Sequence, residues 1–486
     1  MEKNVHSSVQ HSTSKALYYG LILAMGSSLL GCASVPDLAP SPQMNSVANM
    51  GNTQSLTGTA AWAQSHWWTR YQDKQLDALI DEALANAPDM ALAQARILQA
   101  EGYAQQAGAL LLPTADLNGS LNRMKQSYNN GVPKALVPAG FNDSTRVALD
   151  FSYEIDFWGK NRAAVAAASS ELMAARTEAE QSRLLLTSSI ASAYAELARL
   201  YAVRDTALLA LEVRQHSEKL LVERQQQGLE TMSSVKQAQS RRATAQAELT
   251  AANQAIALQG NALAALLGRG PDRGQRIERP TLDLNQPQGL PSTLQAELIA
   301  HRPDLTAARM RAEAAARRID VAHAGFYPNV NLTAYVGGQS LGSLDLLTKS
   351  GSGIAGIGPA INLPIFRGGQ LEGSYRTARG EYDLAVSSYN QTLLQALHEV
   401  ADAITRQDML TPQLQQRTEA LDAAEQAYQV AKDRYHGGLA NYLEVLTAED
   451  SVIKARRVLV DYQIQRITQD ISLIKALGGG YHAGNA

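Results

Sequence analysis

Two hydrophobic periods take turns along this chain. From Ala115 to Asn122, Ala115, Leu117, Gly119 and Leu121 alternate with Asp116, Asn118, Ser120 and Asn122. From Arg146 to Ile155, Val147, Leu149, Phe151, Tyr153 and Ile155 alternate with a set containing Arg146, Asp150, Ser152 and Glu154. Later, Val330, Leu332, Ala334 and Val336 share one face, and Ile357, Ile361, Leu363 and Ile365 follow. A period of two over about 10 residues predicts strands like those of a transmembrane β-barrel, apolar to lipid and polar to the lumen. A half-buried strand pair in a soluble sheet has the same period. The stretches Ser127–Pro133 and Gly337 to Gly353 are rich in Gly, Asn and Ser and predict exposed loops.

Elsewhere the period is helical. Between Lys160 and Gln227 there is neither proline nor glycine, a length that would reach roughly 100 Å as one helix. A second run, Met232 to Leu267, would reach about 55 Å. Alternating steps of three and four from Val235 give Val235, Ala238, Arg242, Ala245, Leu249, Ala252, Ile256, Gln259, Leu263 and Leu266. Only Arg242 and Gln259 break this coiled-coil seam. A counterpart runs through Val445, Ala448, Val452, Ala455, Leu459, Tyr462, Arg466, Gln469, Leu473 and Ala476. The many alanines permit close helix approach.

These elements occur twice. Pro88, Asp89, Ala93 and Arg96 recur as Pro303, Asp304, Ala308 and Arg311, an offset of 303 − 88 = 215, which also carries Pro113 onto Pro328. Further on, Gly228-Leu229, Val235, Leu249 and Leu263 recur as Gly438-Leu439, Val445, Leu459 and Leu473, an offset of 438 − 228 = 210. The change of offset falls between these landmarks, where each copy has a loop. The pattern predicts one helix–strand–strand–helix unit in duplicate, at 71–270 and 292–480, joined by a connector at 271–291 holding Pro271, Pro280, Pro287 and Pro291. A tail follows at 481–486. Ahead of the first copy lies a segment with Trp62, Trp67 and Trp68, expected to pack against the outside of the helical body.

The start of the chain reads as an export signal at 1–31. Lys3 and Lys15 precede an apolar stretch, Ala16 to Met25, too short to be a convincing membrane span, and small residues follow. Leu29-Leu30-Gly31-Cys32 resembles the bacterial lipobox. That resemblance implies a diacylglycerol and an N-acyl chain on Cys32, a mature chain starting there, a lipid-anchored segment at 32–70, and sorting to the outer membrane, because Ala33 rather than Asp follows.

Composition narrows the chemistry. A net charge of −3 gives no basic field for nucleic acid. The single cysteine excludes an internal disulfide and a cysteine metal cluster. The nine histidines show no metal-ligand spacing, and no nucleophile or phosphate-loop motif is present. We read the chain as non-enzymatic, without cofactor. Asp156, in a conspicuous motif, is expected to serve a helix start or turn. Four membrane strands leave two unpaired edges, which lipid does not tolerate, so closure needs several chains. Two chains would give eight strands and a filled interior; three would give twelve and room for a pore. Physics allows both, and a conduit requires the larger.

Several motifs together resemble the TolC-like outer-membrane efflux family, in its lipoprotein branch: Trp67-Trp68 with Asp73 to Ile80, Tyr153-Glu-Ile-Asp156-Phe-Trp158-Gly159-Lys160, His301-Arg302-Pro303-Asp304-Leu305, Phe326-Tyr-Pro328, Leu363-Pro-Ile-Phe-Arg-Gly-Gly369 and Ala476 to Tyr481. The resemblance implies an α+β membrane protein, a homotrimer with a twelve-stranded barrel continued by a coiled-coil periplasmic tunnel. It implies a passive duct for multidrug or toxic-compound efflux, docked to a periplasmic adaptor (membrane fusion) protein and an inner-membrane transporter. That transporter would be of the resistance-nodulation-division or major-facilitator class. Adaptor docking would fall on Gly228, Leu229, Gly438 and Leu439, and a periplasmic aperture on Tyr435 and Glu444. The chain departs from the family pattern at Ala440, where a gate arginine can occur, and at Thr447, in place of a second acidic residue. A duct for exported proteins shares the fold. A periplasmic coiled-coil scaffold is the reading from another class, though it has no use for lipid-facing strand faces.

Overall fold

The computed structural model describes residues 34–46, 65–282, 302–342 and 344–481. It divides into two compact units. Cys32, Trp62 and His301, with Pro287 and Pro291 of the connector, lie outside the described residues.

The unit formed by Gln99–Leu172, Arg309–Ser387 and the described residues up to Gln43 holds an antiparallel meander in the order β1 (Thr114–Met124), β2 (Asn142–Glu154), β3 (Asn329–Leu341), β4 (Gly353–Asn362). The register makes the period-two faces agree across all four strands. Leu117 opposes Leu149, Leu149 opposes Val336 and Val336 opposes Ala355. One row along, Ala115, Phe151, Ala334 and Ile357 line up in the same way. A slip of one residue in any pair would scramble this face. The face is exposed: Leu117 at 74 %, Ile357 at 78 % and Ile361 at 69 %. On the opposite face Arg146 pairs with Asp150 at 2.7 Å, Asn118 donates to Asp150 at 2.9 Å, and Arg146 lies over the Tyr335 ring.

The structure corrects one loop. Gly337 to Gly353 is not all loop, because β3 continues through Leu341. Gly337 lies against the Val147 carbonyl and Ala148, so a Cβ there would collide with β2. Close strand approach, not a turn, is what this glycine provides.

The helices repeat in length as well as in sequence. α1 spans Lys74–Asn86, and α2 (Pro88–Ala109) and α5 (Pro303–Ala324) have 22 residues each. α3 (Lys160–Gln226) and α6 (Gln370–His436) have 67 each, and α4 (Met232–Leu266) and α7 (Tyr442–Ala476) have 35 each. The offset change therefore lies wholly outside the helices. Asp156 accepts the Asn161 and Arg162 amides, which makes it a helix-start carboxylate for α3. α6 contains Pro412, whereas α3 has Ala202 at the corresponding place (412 − 210). The two seam breaks in α4 are both used: Arg242 pairs with Glu218 at 2.6 Å and Gln259 donates to the Ala193 carbonyl at 2.7 Å.

The other unit is mainly helical, and its largest core includes Trp67, Trp68, Leu79, Ile80, Ile190, Tyr194, Leu263 and Ile471. Trp67 and Trp68 are thus packed against the helices as core residues, at 3 % and 2 % exposure. Their area rewards full burial more than surface packing. Buried Asp73 caps α1 through the Gln75 and Leu76 amides and also accepts from Tyr194 Oη and from Thr281. Arg302, 5 % exposed, pairs with Asp304 and Glu399 and donates to the Ala476 carbonyl at the end of α7. It satisfies a terminal carbonyl and complements the helix dipole. Gly268 has φ +68°, and a Cβ would come within 2.6 Å of the Asn86 carbonyl.

Two substitutions test these joints. Arg302→Met leaves Glu399 and Asp304 without their cation and should cost about 1–3 kcal/mol. Gly268→Val combines positive φ with a backbone clash and should cost at least about 1–3 kcal/mol. Thermal melting followed by helical circular dichroism reads both as lowered midpoints; an unchanged midpoint in either would contradict its assigned role.

Candidate functional site

Two helix reversals, between α3 and α4 and between α6 and α7, are built alike. Gly228 and Gly438 have φ of +74° and +71°, the left-handed conformation in which glycine carries no Cβ penalty. The Leu229 amide returns to the Arg224 carbonyl at 2.9 Å and the Leu439 amide to the Arg434 carbonyl at 2.8 Å, closing equivalent turns. The next helices start on matching caps: Thr231 Oγ1 accepts the Ser234 amide and Asn441 Oδ1 accepts the Glu444 amide, each at 3.1 Å. Leu229 and Leu439 are 61 % and 74 % exposed. Each reversal thus presents a largely exposed apolar side chain.

Between the reversals lies a small core of Leu221, Val235, Ala238, Tyr435, Tyr442, Val445 and Leu446. Tyr435 and Tyr442 meet edge to face at 5.2 Å. Tyr435, expected at an aperture, is buried in this chain: its hydroxyl donates to Glu230 at 3.0 Å, and Arg224 lies 5.1 Å from its ring. Glu444 is exposed and pairs with Arg434 at 3.3 Å, a pair of small energetic weight. Burial, then the hydrogen bond and charge of Glu230, push the Tyr435 phenol up to about 12, against the opposing charge of Arg224. Burial likewise pushes Tyr442 up to about 12.

Sequence reasoning missed the partners. Glu230 and Arg434 were not singled out, although each borders a turn glycine by a few residues. It also missed a buried charge cluster higher on the same helices, where Asp450 receives Arg214 at 3.0 Å and Arg241 at 2.8 Å beside Glu449. The only available signal was a carboxylate pair next to the α7 seam. No helix of the described residues is long and apolar enough to cross a membrane, which says nothing of strands. Among those residues no group of three or more His, Cys, Asp and Glu could hold a metal ion.

The tip core yields a pH prediction. A phenol whose folded pKa is raised above its unfolded value of about 10 stabilises the fold below that value, and this contribution is lost as pH rises towards about 12. Phenolate absorbance should therefore show Tyr435 and Tyr442 titrating late, with the helical tip loosening as they ionise. Tyr435→Phe keeps the ring contacts, removes the bond to Glu230 and should cost about 1 kcal/mol. A tip equally stable at neutral and strongly alkaline pH would count against this arrangement.

The chain matches known proteins over most of its length. The family model described as "Outer membrane efflux protein" matches residues 79–269 and 294–479, one segment in each half. The multidrug resistance outer membrane protein MdtP of Escherichia coli K12 is 30 % identical over 473 residues, covering 95 % of this chain and 96 % of that protein. The toluene efflux pump outer membrane protein TtgF of Pseudomonas putida is 30 % identical over 474 residues, with 95 % and 96 % covered. The crystal structure of the outer membrane protein VceC from Vibrio cholerae superposes with a TM-score of 0.82 at 47 % identity, over 87 % of this chain and 100 % of that one. The Campylobacter jejuni outer membrane channel CmeC, at 23 % identity, shares the fold with a TM-score of 0.81. Matched in both halves of its duplication and over nearly its whole length, this chain belongs to the outer membrane efflux protein family.

Proposed function

We propose that the chain is the outer-membrane channel subunit of a tripartite efflux pump for drugs or other toxic compounds, a passive duct assembled from three copies. The observation that carries this is the sheet. Its apolar face runs unbroken across four strands, and β1 and β4 each have one pairing edge left over. Hydrocarbon tolerates the face and forbids the edges, so the sheet must close with other copies of itself. Three copies leave a lumen; two fill it with side chains. The names of MdtP and TtgF, one a multidrug resistance protein and the other part of a toluene efflux pump, support the cargo class.

Several finer assignments belong to the same reading. Cys32 carries the lipid that anchors the mature chain to the outer membrane. Leu229 and Leu439, with Gly228 and Gly438, dock a periplasmic adaptor, which couples the duct to an inner-membrane transporter of the resistance-nodulation-division or major-facilitator class. Tyr435 and Glu444 border the periplasmic aperture, Tyr435 by holding the tip core and Glu444 by carrying the charge. No covalent chemistry is assigned to the chain, and energy enters through the transporter.

Planar-bilayer recording of the purified assembly, alone and with its adaptor, tests the duct. Stepwise conductance is expected; its absence under both conditions would leave a periplasmic scaffold as the better reading. Labelled palmitate should enter the wild type and not Cys32→Ser. Leu229→Asp with Leu439→Asp should preserve assembly yet lower adaptor cross-linking by about tenfold or more.

A further inference from the structure

Away from the tip, α3, α6 and α7 enclose a cleft of about 350 Å³, at the small end of the range that small-molecule sites occupy. Leu209, Ala210 and Val213 of α3 and Val452 and Ile453 of α7 supply its apolar walls, and Tyr428 of α6 its aromatic one. Glu449 also lines it, although that residue is only 4 % exposed.

The carboxylate of Glu449 is the least satisfied member of the surrounding charge network. Arg214 uses Nη2 on Asp450 at 3.0 Å and Nη1 on the Arg241 carbonyl. Arg241 serves the other oxygen of Asp450 at 2.8 Å and the Leu446 carbonyl. Arg456 is spent on Glu425 at 2.6 Å. Arg214 Nε forms a long ion pair of 3.5 Å with Glu449 Oε1, and Glu449 Oε2 has no donor. A buried acceptor left without a donor costs more than an ordinary hydrogen bond returns, and a carboxylate costs most.

We propose that this cleft binds an amphipathic primary amine, its ammonium group donating to Glu449 and its apolar body lying between Leu209, Val213 and Ile453. The ammonium supplies the missing charge-assisted hydrogen bond, and the body displaces water from apolar walls. Such a site gives the protein a ligand-binding role beyond that of a passive duct, and it stands whether or not the assembly conducts.

The pH dependence has a definite sign. Burial raises the Glu449 carboxyl above its ordinary value, opposed by Arg214, so acid neutralises it and removes the attraction for a cation. The other groups facing it are Arg214 of α3, Arg241 of α4, Tyr428 and Glu425 of α6, and Tyr442, Asp450 and Arg456 of α7. The arginines stay charged throughout. Tyr428 stays neutral, its phenol raised by burial and by the charge of Glu449. Glu425 and Asp450 are already occupied by arginine, which leaves Glu449 as the group that the amine reads.

The test is equilibrium dialysis of the purified full-length assembly in nanodiscs, with 1-naphthylmethylamine and its neutral counterpart 1-naphthalenemethanol. The amine is expected to bind about tenfold tighter than the alcohol near pH 8 (about 1.4 kcal/mol), and this preference is expected to shrink as the pH falls into the acid range. Glu449→Gln should erase the preference across this range, and Ile453→Trp, which fills the cleft, should remove binding of both probes. The proposal is overturned by no saturable binding to the wild type, by equal affinity for both probes near pH 8, or by a preference that survives in Glu449→Gln. Should that variant fail to assemble, the wild-type pH comparison decides alone: a preference for the amine that does not change with pH overturns the assignment.

Discussion

A strand edge is a row of N–H and C=O groups, and hydrocarbon offers them nothing. That constraint governs much of what this chain encodes. Each half of the duplication makes two strands, and β2 pairs with β3 across the copies with Leu149 against Val336. The duplication thus reduces four open edges to two within one chain, and self-assembly removes the rest. Period-two alternation is needed because each strand separates lipid from lumen, and its register is fixed by the need for every apolar residue to sit on one side.

The helical unit answers a different requirement. Helices of 67 and 35 residues cannot be held by propensity alone, and their hydrophobic seams are narrow and rich in alanine. Small residues permit close approach but bury little area, so specific polar joints carry much of the registration. Asp73, Arg302 and the Asp470 carboxylate that accepts the Tyr71 hydroxyl are such joints, each bonded to segments far away in sequence. An isolated buried pair is poor evidence of net stability. Its value here is to choose one helix register among the several that an alanine-rich seam would accept.

Much of this was legible in the sequence because it was local or periodic. The two reversals announced themselves through Gly228 and Gly438, whose conformation only glycine adopts cheaply, and the strands through alternation. What stayed hidden was long-range. Nothing in the sequence around Tyr435 says that its hydroxyl meets Glu230, 205 residues earlier, and an aromatic residue beside a turn reads equally well as exposed. Gly337 misled for a related reason: glycine followed by Gly338 resembles a turn until the partner strand shows Ala148 beneath it. How deeply Trp67 and Trp68 are buried stayed hidden too, because the aperiodic segment before the first repeat gives no clue to what covers it.

The long helices of the duplication match closely enough in length that a proline present in one and absent from the other stands out. α6 has Pro412 where α3 has Ala202. Proline brings no amide hydrogen, so the Asp408 carbonyl one turn earlier loses its helical donor, and the ring crowds that carbonyl. Of two rods equal in length, one therefore has a built-in joint and the other does not. Bending stiffness is unequal between the halves of the chain, and a strain applied along both would be absorbed first by the second.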